Sequence, residues 1–258
     1  MRLINYLRNK FHPLFFLFQF KIIRILLSKI KIKYYLKSKK FGNLFIYLPR
    51  NINYLLNSEY LEKNTFDFVS ELNSKKNIKD SLFVDVGGNI GAYSLFFKKN
   101  YNSKIFIFEP DDDNLILLFN TKVRNKLEDF HIFPFGLSKE NHIVSFLIDN
   151  ISGSTGTLSD YRNIPQIRQK LSKKKNIIAL KLDLFSEIIE NVTWIKMDVE
   201  GYELEVLKGM MKIIKLNTPN LIIESNEEQI LPIIELLKPI NYNIKKIDND
   251  PNYIFYKS

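Results

Sequence analysis

The chain has 258 residues, with 38 Lys+Arg against 28 Asp+Glu for a net charge of +10, and 45% of it is hydrophobic. That supply of apolar side chains excludes a wholly disordered chain, and the length suits one α/β domain with an appendage or at most two small domains. Cysteine is absent, which excludes a disulfide framework, cysteine-ligated zinc, an iron–sulfur cluster and a cysteine nucleophile. His12, His131 and His142 are the three histidines, and no metal site is expected from them.

The charge is unevenly placed. Residues 1–58 hold twelve Lys/Arg and no acid; the remainder holds 26 basic and 28 acidic residues, a net of −2. The expected organisation is a basic N-terminal extension, 1–58, on a nearly neutral body, 59–258. Within the extension, residues 14–37 read as a helix with Pro13 near its first turn. Lys21, Arg24, Ser28 and Lys31 draw one polar stripe along it, and the rest is Leu, Ile and Phe. The longest apolar run, residues 14–18, is far short of the ~18 residues of a membrane span. Two readings stand. The helix packs on the body with its stripe in water, or it lies on an anionic membrane surface, with Arg2, Arg8, Lys10, Lys39 and Lys40 adding attraction. The second reading makes peripheral membrane contact through residues 1–40, at the inner face. The expected location is cytoplasmic.

After Glu59 the pattern alternates between strand and helix. Residues 82–86 (LFVDV) form a short apolar run ending in glycines, a buried strand. Residues 92–99 read as helix, 104–109 (KIFIFE) as strand, and 111–122 as a helix with three acids in its first turn, where the dipole favours them. Strands are expected at 131–135, 143–148 and 177–182, with a polar loop or partly helical insertion over 150–176. A strand at 194–199 (WIKMDV) leads into a helix over 203–215. Residues 220–224 (NLIIE) are strand, 227–237 helix, and 242–247 with 253–256 a closing antiparallel pair. This order predicts a mostly parallel sheet with helices on both faces.

The segment 83–94, FVDVGGNIGAYS, carries the most information. Asp85 ends a strand, and Gly87, Gly88 and Gly91 line the turn into a helix, where backbone N–H groups are free. Glu109 ends the next strand, 24 residues on, where a carboxylate accepts hydrogen bonds from ribose hydroxyls in doubly wound folds. Together these point to a bound nucleoside. The glycine spacing departs from the dinucleotide pattern G-x-G-x-x-G, and no GK[ST] phosphate loop follows.

Asp85-x-Gly87-x-Asn89-x-Gly91 instead resembles the first motif of class I S-adenosylmethionine-dependent methyltransferases. VDVGGNIGAYS, IFIFEPDDDN, FGLS, LDLF, WIKMDVEGYELEVLKGM and LIIES stand in the order expected of the FkbM family of methyltransferases, over about residues 59–258. Gly88 stands where that family commonly has alanine or another small residue. The resemblance implies a class I methyltransferase (Rossmann-like) fold, here preceded by the basic amphipathic helix, and transfer of a methyl group to oxygen, often on sugars, glycans or other polyhydroxylated molecules. It implies S-adenosylmethionine as cofactor, with Asp85, Gly87, Gly88, Asn89 and Gly91 at its methionine part and Glu109 at its ribose. It also marks Lys196, Asp198, Glu200, Gly201 and Glu203 as the signature beside the reacting centre. Asp198 and Glu200 stand at the carboxyl end of a central strand, where ligands bind in such sheets, and either is a candidate base. Lys196, two positions earlier, shares a face with Asp198 and is placed to pair with it. Asp183 is expected to cap the following helix, His131 to be structural, His142 to face solvent, and residues 152–156 to border the acceptor or form a plain loop.

Competing readings are a nicotinamide-dependent oxidoreductase, disfavoured by the glycine spacing, and a non-catalytic, membrane-tethered binding module of the same fold. A nucleic-acid methyltransferase is disfavoured because the body is not basic and Asp198 continues Val-Glu-Gly rather than Pro-Pro-aromatic. The acceptor itself is not readable from the sequence.

Overall fold

The computed structural model describes residues 31–48, 50–74, 81–149, 156–158 and 172–257. The amphipathic stripe at residues 21–28, the proposed membrane contact before residue 31 and the small-residue stretch 152–155 lie outside them.

A hairpin of β1 (Ile32–Ser38) and β2 (Gly42–Leu48) is followed by helices α1 (Ile52–Asn57) and α2 (Lys63–Ser74). The core then runs β3 (Leu82–Val86), α3 (Ala92–Tyr101), β4 (Lys104–Phe108), α4 (Asp112–Asn125) and β5 (Phe130–Phe133). An inserted group holds β6 (Gly136–Leu137), β7 (His142–Asp149), β8 (Gly156–Leu158) and β9 (Ser172–Leu180). A 3₁₀ turn at Leu182–Phe185 leads to β10 (Val192–Met197), α5 (Glu203–Lys208), α6 (Met211–Asn217), β11 (Asn220–Glu224), α7 (Ile230–Leu237), β12 (Asn243–Lys246) and β13 (Asn252–Tyr256).

Seven strands form the main sheet in the order β12-β13-β11-β10-β3-β4-β5. Neighbours from β11 to β5 are parallel, and β13 is antiparallel to both its partners. The order reverses between β3 and β10, which opens a crevice at their carboxyl ends. The mostly parallel sheet and closing antiparallel pair are as the sequence predicts.

Side-chain alternation divides the core. Val84, Val86, Phe106, Phe108, Ile195 and Met197 face one side, covered by α5, α6, α7 and the second sheet. Phe83, Ile105, Ile107, Trp194, Ile222 and Ile254 face the other, under α2, α3, α4 and the hairpin. On that second face Trp194 is fully buried, its indole N–H donating to Asn73 Oδ1 at 2.8 Å.

Several local expectations are corrected. Residues 32–37, which read as the end of a helix, are strand. Here the sequence has period two, with Leu36 and Ser38 buried and Lys37 exposed, and Gly42 (φ +90°) closes the hairpin. Phe41, Leu44 and Ile46 of this hairpin share a core with Phe66 and Phe96, so residues 32–48 are packed onto the body. The helix expected over 203–215 is broken into α5 and α6, because Gly209 lies against the backbone of Ser138, where a Cβ would come within 2.0 Å of its carbonyl oxygen. Asp183 does not cap its own turn; its carboxylate accepts the Lys212 and Ile213 N–H groups, both at 3.0 Å, and starts α6. Finally, the polar insertion is not only loop: β7 and β9 pair over eight residues from His142↔Ala179 to Asp149↔Ser172, and build the second, four-stranded sheet.

Candidate active site

The crevice holds an open cleft lined by the ends of β3, β4 and β10, by Tyr202, and by Phe146 and Ile177 from the second sheet. The β3–α3 turn forms one wall. Gly87 N–H donates to Phe108 O at 2.9 Å, which ties the turn to β4. Gly87 has φ +73°, and a Cβ there would stand 2.0 Å from the Asp198 carbonyl oxygen. Gly91 (φ +82°) would put a Cβ 2.7 Å from Leu118, and Gly88 one 2.3 Å from Ile107. Close approach to other backbone and core side chains therefore explains these three glycines without any ligand. Gly87→Ala combines a backbone clash with a left-handed conformation and is expected to cost about 3 kcal/mol or more, read as a lower urea midpoint.

Glu109, 4% exposed, follows β4 and accepts the Asn89 N–H at 2.7 Å and the Asp111 N–H at 2.8 Å. It thus joins the glycine turn to the start of α4, where Asp111 caps the helix by accepting from Asp113 N–H (2.7 Å) and Asn114 N–H (3.2 Å). Burial pushes the Glu109 carboxyl up to about 8, against those two backbone donors, which favour its ionised form. The Asn89 side-chain Oδ1 is buried without a hydrogen-bond partner, on a residue that lines the cleft.

Against this turn stands the end of β10. Asp198 N–H donates to Val86 O at 3.1 Å, and its carboxylate pairs with Lys196 Nζ at 2.8 Å. Lys196 is 3% exposed; burial disfavours its charge, but Asp198, Glu224, Glu62 and Asp85 outweigh that, and its pKa is raised. The strand register, Lys196↔Asp85 and Met197↔Ile223, sets Asp85 beside Lys196 and Glu224 beside Asp198. Burial raises Asp85 to about 6, against Lys196 and the Ser94 hydroxyl, which donates to it at 2.6 Å. Burial and Asp198 raise Glu224 to about 8. Desolvation, Asp198 and Glu224 likewise raise Glu200, at the cleft mouth, to about 8. Glu200 (φ +54°) and Gly201 (φ +92°) make a left-handed turn, held by Glu203 Oε1, which accepts the Val199 and Gly201 N–H groups at 3.1 and 3.0 Å.

Of the residues picked out in the sequence, Gly87, Asn89, Glu109, Asp198 and Glu200 line one cleft. Asp85, Gly88, Gly91 and Lys196 stand behind its walls and shape them. His131 packs edge-on against Phe106 and is not a cleft residue, and His142 begins β7. Sequence reasoning misses Glu224 and Glu62, the latter hydrogen-bonded by the Tyr93 hydroxyl and by Asn252 Nδ2, and Arg50 at the cleft rim. The strand-ending carboxylate of NLIIE is a usable signal for Glu224; Glu62 and Arg50 have none. Among the described residues, no group of three His, Asp or Glu side chains is placed to hold a metal ion, and no helix is long and apolar enough to cross a membrane.

The raised carboxyls have a consequence for stability. Glu109 keeps its proton to about pH 8 in the fold but only to about 4.5 when unfolded, so the native chain binds more protons in between, and stability falls as pH rises through that window. The thermal midpoint is expected to drop from about pH 5 to about pH 8, with a shallower drop in Glu109→Gln.

A Rossmann-like sheet with this strand order and a cleft at its switch point defines the class: an α/β fold of methyltransferase type. A solved structure of the methyltransferase FkbM from Methylobacillus flagellatus matches it with a TM-score of 0.54 at 23% identity, covering 80% of this chain and 52% of that one. The family model of the methyltransferase FkbM domain matches residues 85–244, and the chain belongs to the FkbM methyltransferases. Among curated relatives, Methyltransferase 1 of Beauveria bassiana is 27% identical over 146 residues, 51% of this chain and 59% of that protein. The hexuronic acid methyltransferase AglP of Haloferax volcanii is 27% identical over 187 residues, 68% of this chain and 70% of that protein. The chain thus spans little more than half the length of the first of these relatives and of the solved structure.

Proposed function

We propose that this methyltransferase uses S-adenosylmethionine and methylates a hydroxyl of a sugar, glycan or other small polyhydroxylated molecule. The observation that carries the reading is the convergence, in one cleft, of the Gly87–Asn89 turn and Glu109 with Asp198 and Glu200.

The residues fit the cofactor. The unpartnered Asn89 Oδ1 is an acceptor for an ammonium or hydroxyl donor, and Glu109, at the end of β4, is the carboxylate that would accept from the ribose hydroxyls. Among the described residues the carboxyls at the cleft outnumber the cations Lys196 and Arg50, which suits a cationic ligand. When bound, S-adenosylmethionine supplies a methyl group made electrophilic by its sulfonium.

The chain's own contribution is alignment and proton removal. The glycine turn and Glu109 fix one reactant, and the carboxylates at the end of β10 orient the acceptor hydroxyl. Asp198, paired with Lys196, or Glu200 takes the hydroxyl proton as the new oxygen–carbon bond forms. The second sheet supplies the apolar floor, with Phe146 and Ile177. The named activity of the Haloferax relative on a hexuronic acid supports a sugar-type acceptor.

Methyl-labelled S-adenosylmethionine, offered with neutral hexoses, hexuronic acids and oligosaccharides, tests the reading. Label in a base-stable ether on one of them supports it. Label only on amines or on nucleic acid contradicts it.

A further inference from the structure

The cleft is completed by a residue that lies before the family-matched region 85–244. β1 and β2 lie along α4: Phe45 N–H donates to Thr121 Oγ1 at 2.9 Å, the Tyr35 hydroxyl donates to Asn125 Oδ1 at 3.1 Å, and Asn125 Nδ2 donates to Asn43 O at 2.9 Å. The basic extension meets an acidic helix start here, and Lys31 Nζ reaches Asp113 Oδ1 at 2.6 Å. This docking brings Arg50, two residues past β2, to the amino end of α4.

There Arg50 Nη1 donates to Asp113 Oδ2 at 3.1 Å, and Nη2 donates to Asp111 Oδ2 and Asn114 Oδ1, both at 3.3 Å. Its side chain is 13% exposed and lines the cleft with Glu109, Pro110, Asp111 and Asn114. A planar guanidinium held on three acceptors is a rigid element, unlike a lysine ammonium. Asp111 passes the constraint on, because its own N–H is one of the two that hold the Glu109 carboxylate. Without Arg50, Asp111 and Asp113 would repel each other at the helix start, and the short link from Asp111 to Glu109 would loosen.

We propose that Arg50 is a positioning residue for the nucleoside half of the bound cofactor: it pins Asp111, Asp113 and Asn114, so that Glu109 is held ready for the ribose, and it walls that end of the cleft. The hairpin of the basic extension is thereby a working part of the binding site. This rests on the reading of the cleft as an S-adenosylmethionine site.

The test is calorimetric binding of S-adenosylhomocysteine and of adenosine alone to the full chain and its variants. Arg50→Met is expected to weaken both ligands by the same factor, roughly ten-fold or more, on the scale of a lost charge-assisted contact. Arg50→Lys restores part of the loss for both. Lys33→Met, on the same hairpin but about two turns further along α4, by Asn120, leaves both affinities unchanged, which separates Arg50 from mere hairpin docking. Unchanged affinity in Arg50→Met overturns the proposal, and so does a loss confined to S-adenosylhomocysteine, which would put Arg50 at the methionine end. Should Arg50→Met not fold, Arg50→Lys decides: a loss of about three-fold or more for both ligands supports the proposal, and none overturns it. If the wild-type chain binds neither ligand, the reading of the cleft fails first and the role of Arg50 falls with it.

Discussion

Asp198→Asn is expected to lower turnover by about 10²–10⁴-fold, the range of a lost general base, while affinity for the cofactor stays within about three-fold of wild type. The reasoning is geometric. Asp198 lines the cleft at the end of β10, beside the glycine turn, and is fixed by Lys196 at 2.8 Å. Asparagine keeps the shape and removes the proton acceptor. It also leaves Lys196 without its nearest counter-charge, and breaking a buried pair is costly; Glu224 and Asp85, which already act on Lys196, take over part of that role and keep the variant folded. Glu200→Gln separates the two candidate bases. Its raised carboxyl, about 8, makes it the better proton acceptor once ionised, so if it is the base, turnover rises with pH through that value in wild type and loses this dependence in the variant. Full turnover in both variants, assayed with whichever hydroxylated acceptor the transfer assay reveals, would remove both from the chemistry.

Glu109→Gln is the second large effect: a loss of about 30-fold or more in affinity for S-adenosylhomocysteine, on the scale of charge-assisted hydrogen bonds to a buried acceptor. Its pH dependence makes the result specific. A ribose donates to the ionised carboxylate, whereas the free chain holds Glu109 protonated up to about pH 8. Binding must therefore expel a proton below that pH, so affinity rises with pH and levels off above about 8. The amide of the variant cannot titrate, so Glu109→Gln binds weakly at every pH and without this slope. A pH-independent affinity in wild type would remove Glu109 from ligand binding.

What is legible in the sequence is what is written locally. Runs such as LFVDV and KIFIF are short, apolar and closed by glycine or acid, so strands and their functional ends can be read directly, and with them the turn 87–91, Glu109 and Asp198. Contacts between distant segments cannot. Glu224 stands at the end of its own strand, and only the pairing of β10 with β11 puts it beside Asp198. Arg50 has no motif; its role depends on a hairpin docking on a helix some sixty residues later in the chain. The first strand of that hairpin reads as the end of a helix up to residue 37, since a mixture of Ile, Leu, Tyr and Lys satisfies both a 3.6 and a 2.0 period over six or seven residues, and burial of Leu36 and Ser38 decides for the strand. The glycine turn is recognisable from its residues, but for an incomplete reason: Gly87 is required by the Asp198 backbone, a contact that exists only once β3 and β10 are neighbours.

The charge distribution also changes meaning. The basic extension faces the Asp111–Asp113 helix start through Lys31 and Arg50, so part of the excess charge serves docking within the molecule.

The central claim, a cleft built for S-adenosylmethionine, is tested most directly by calorimetry of the full chain with S-adenosylmethionine, S-adenosylhomocysteine and NAD. Saturable one-to-one binding of the first two, and none of NAD, is the predicted result. Binding of NAD alone would contradict it.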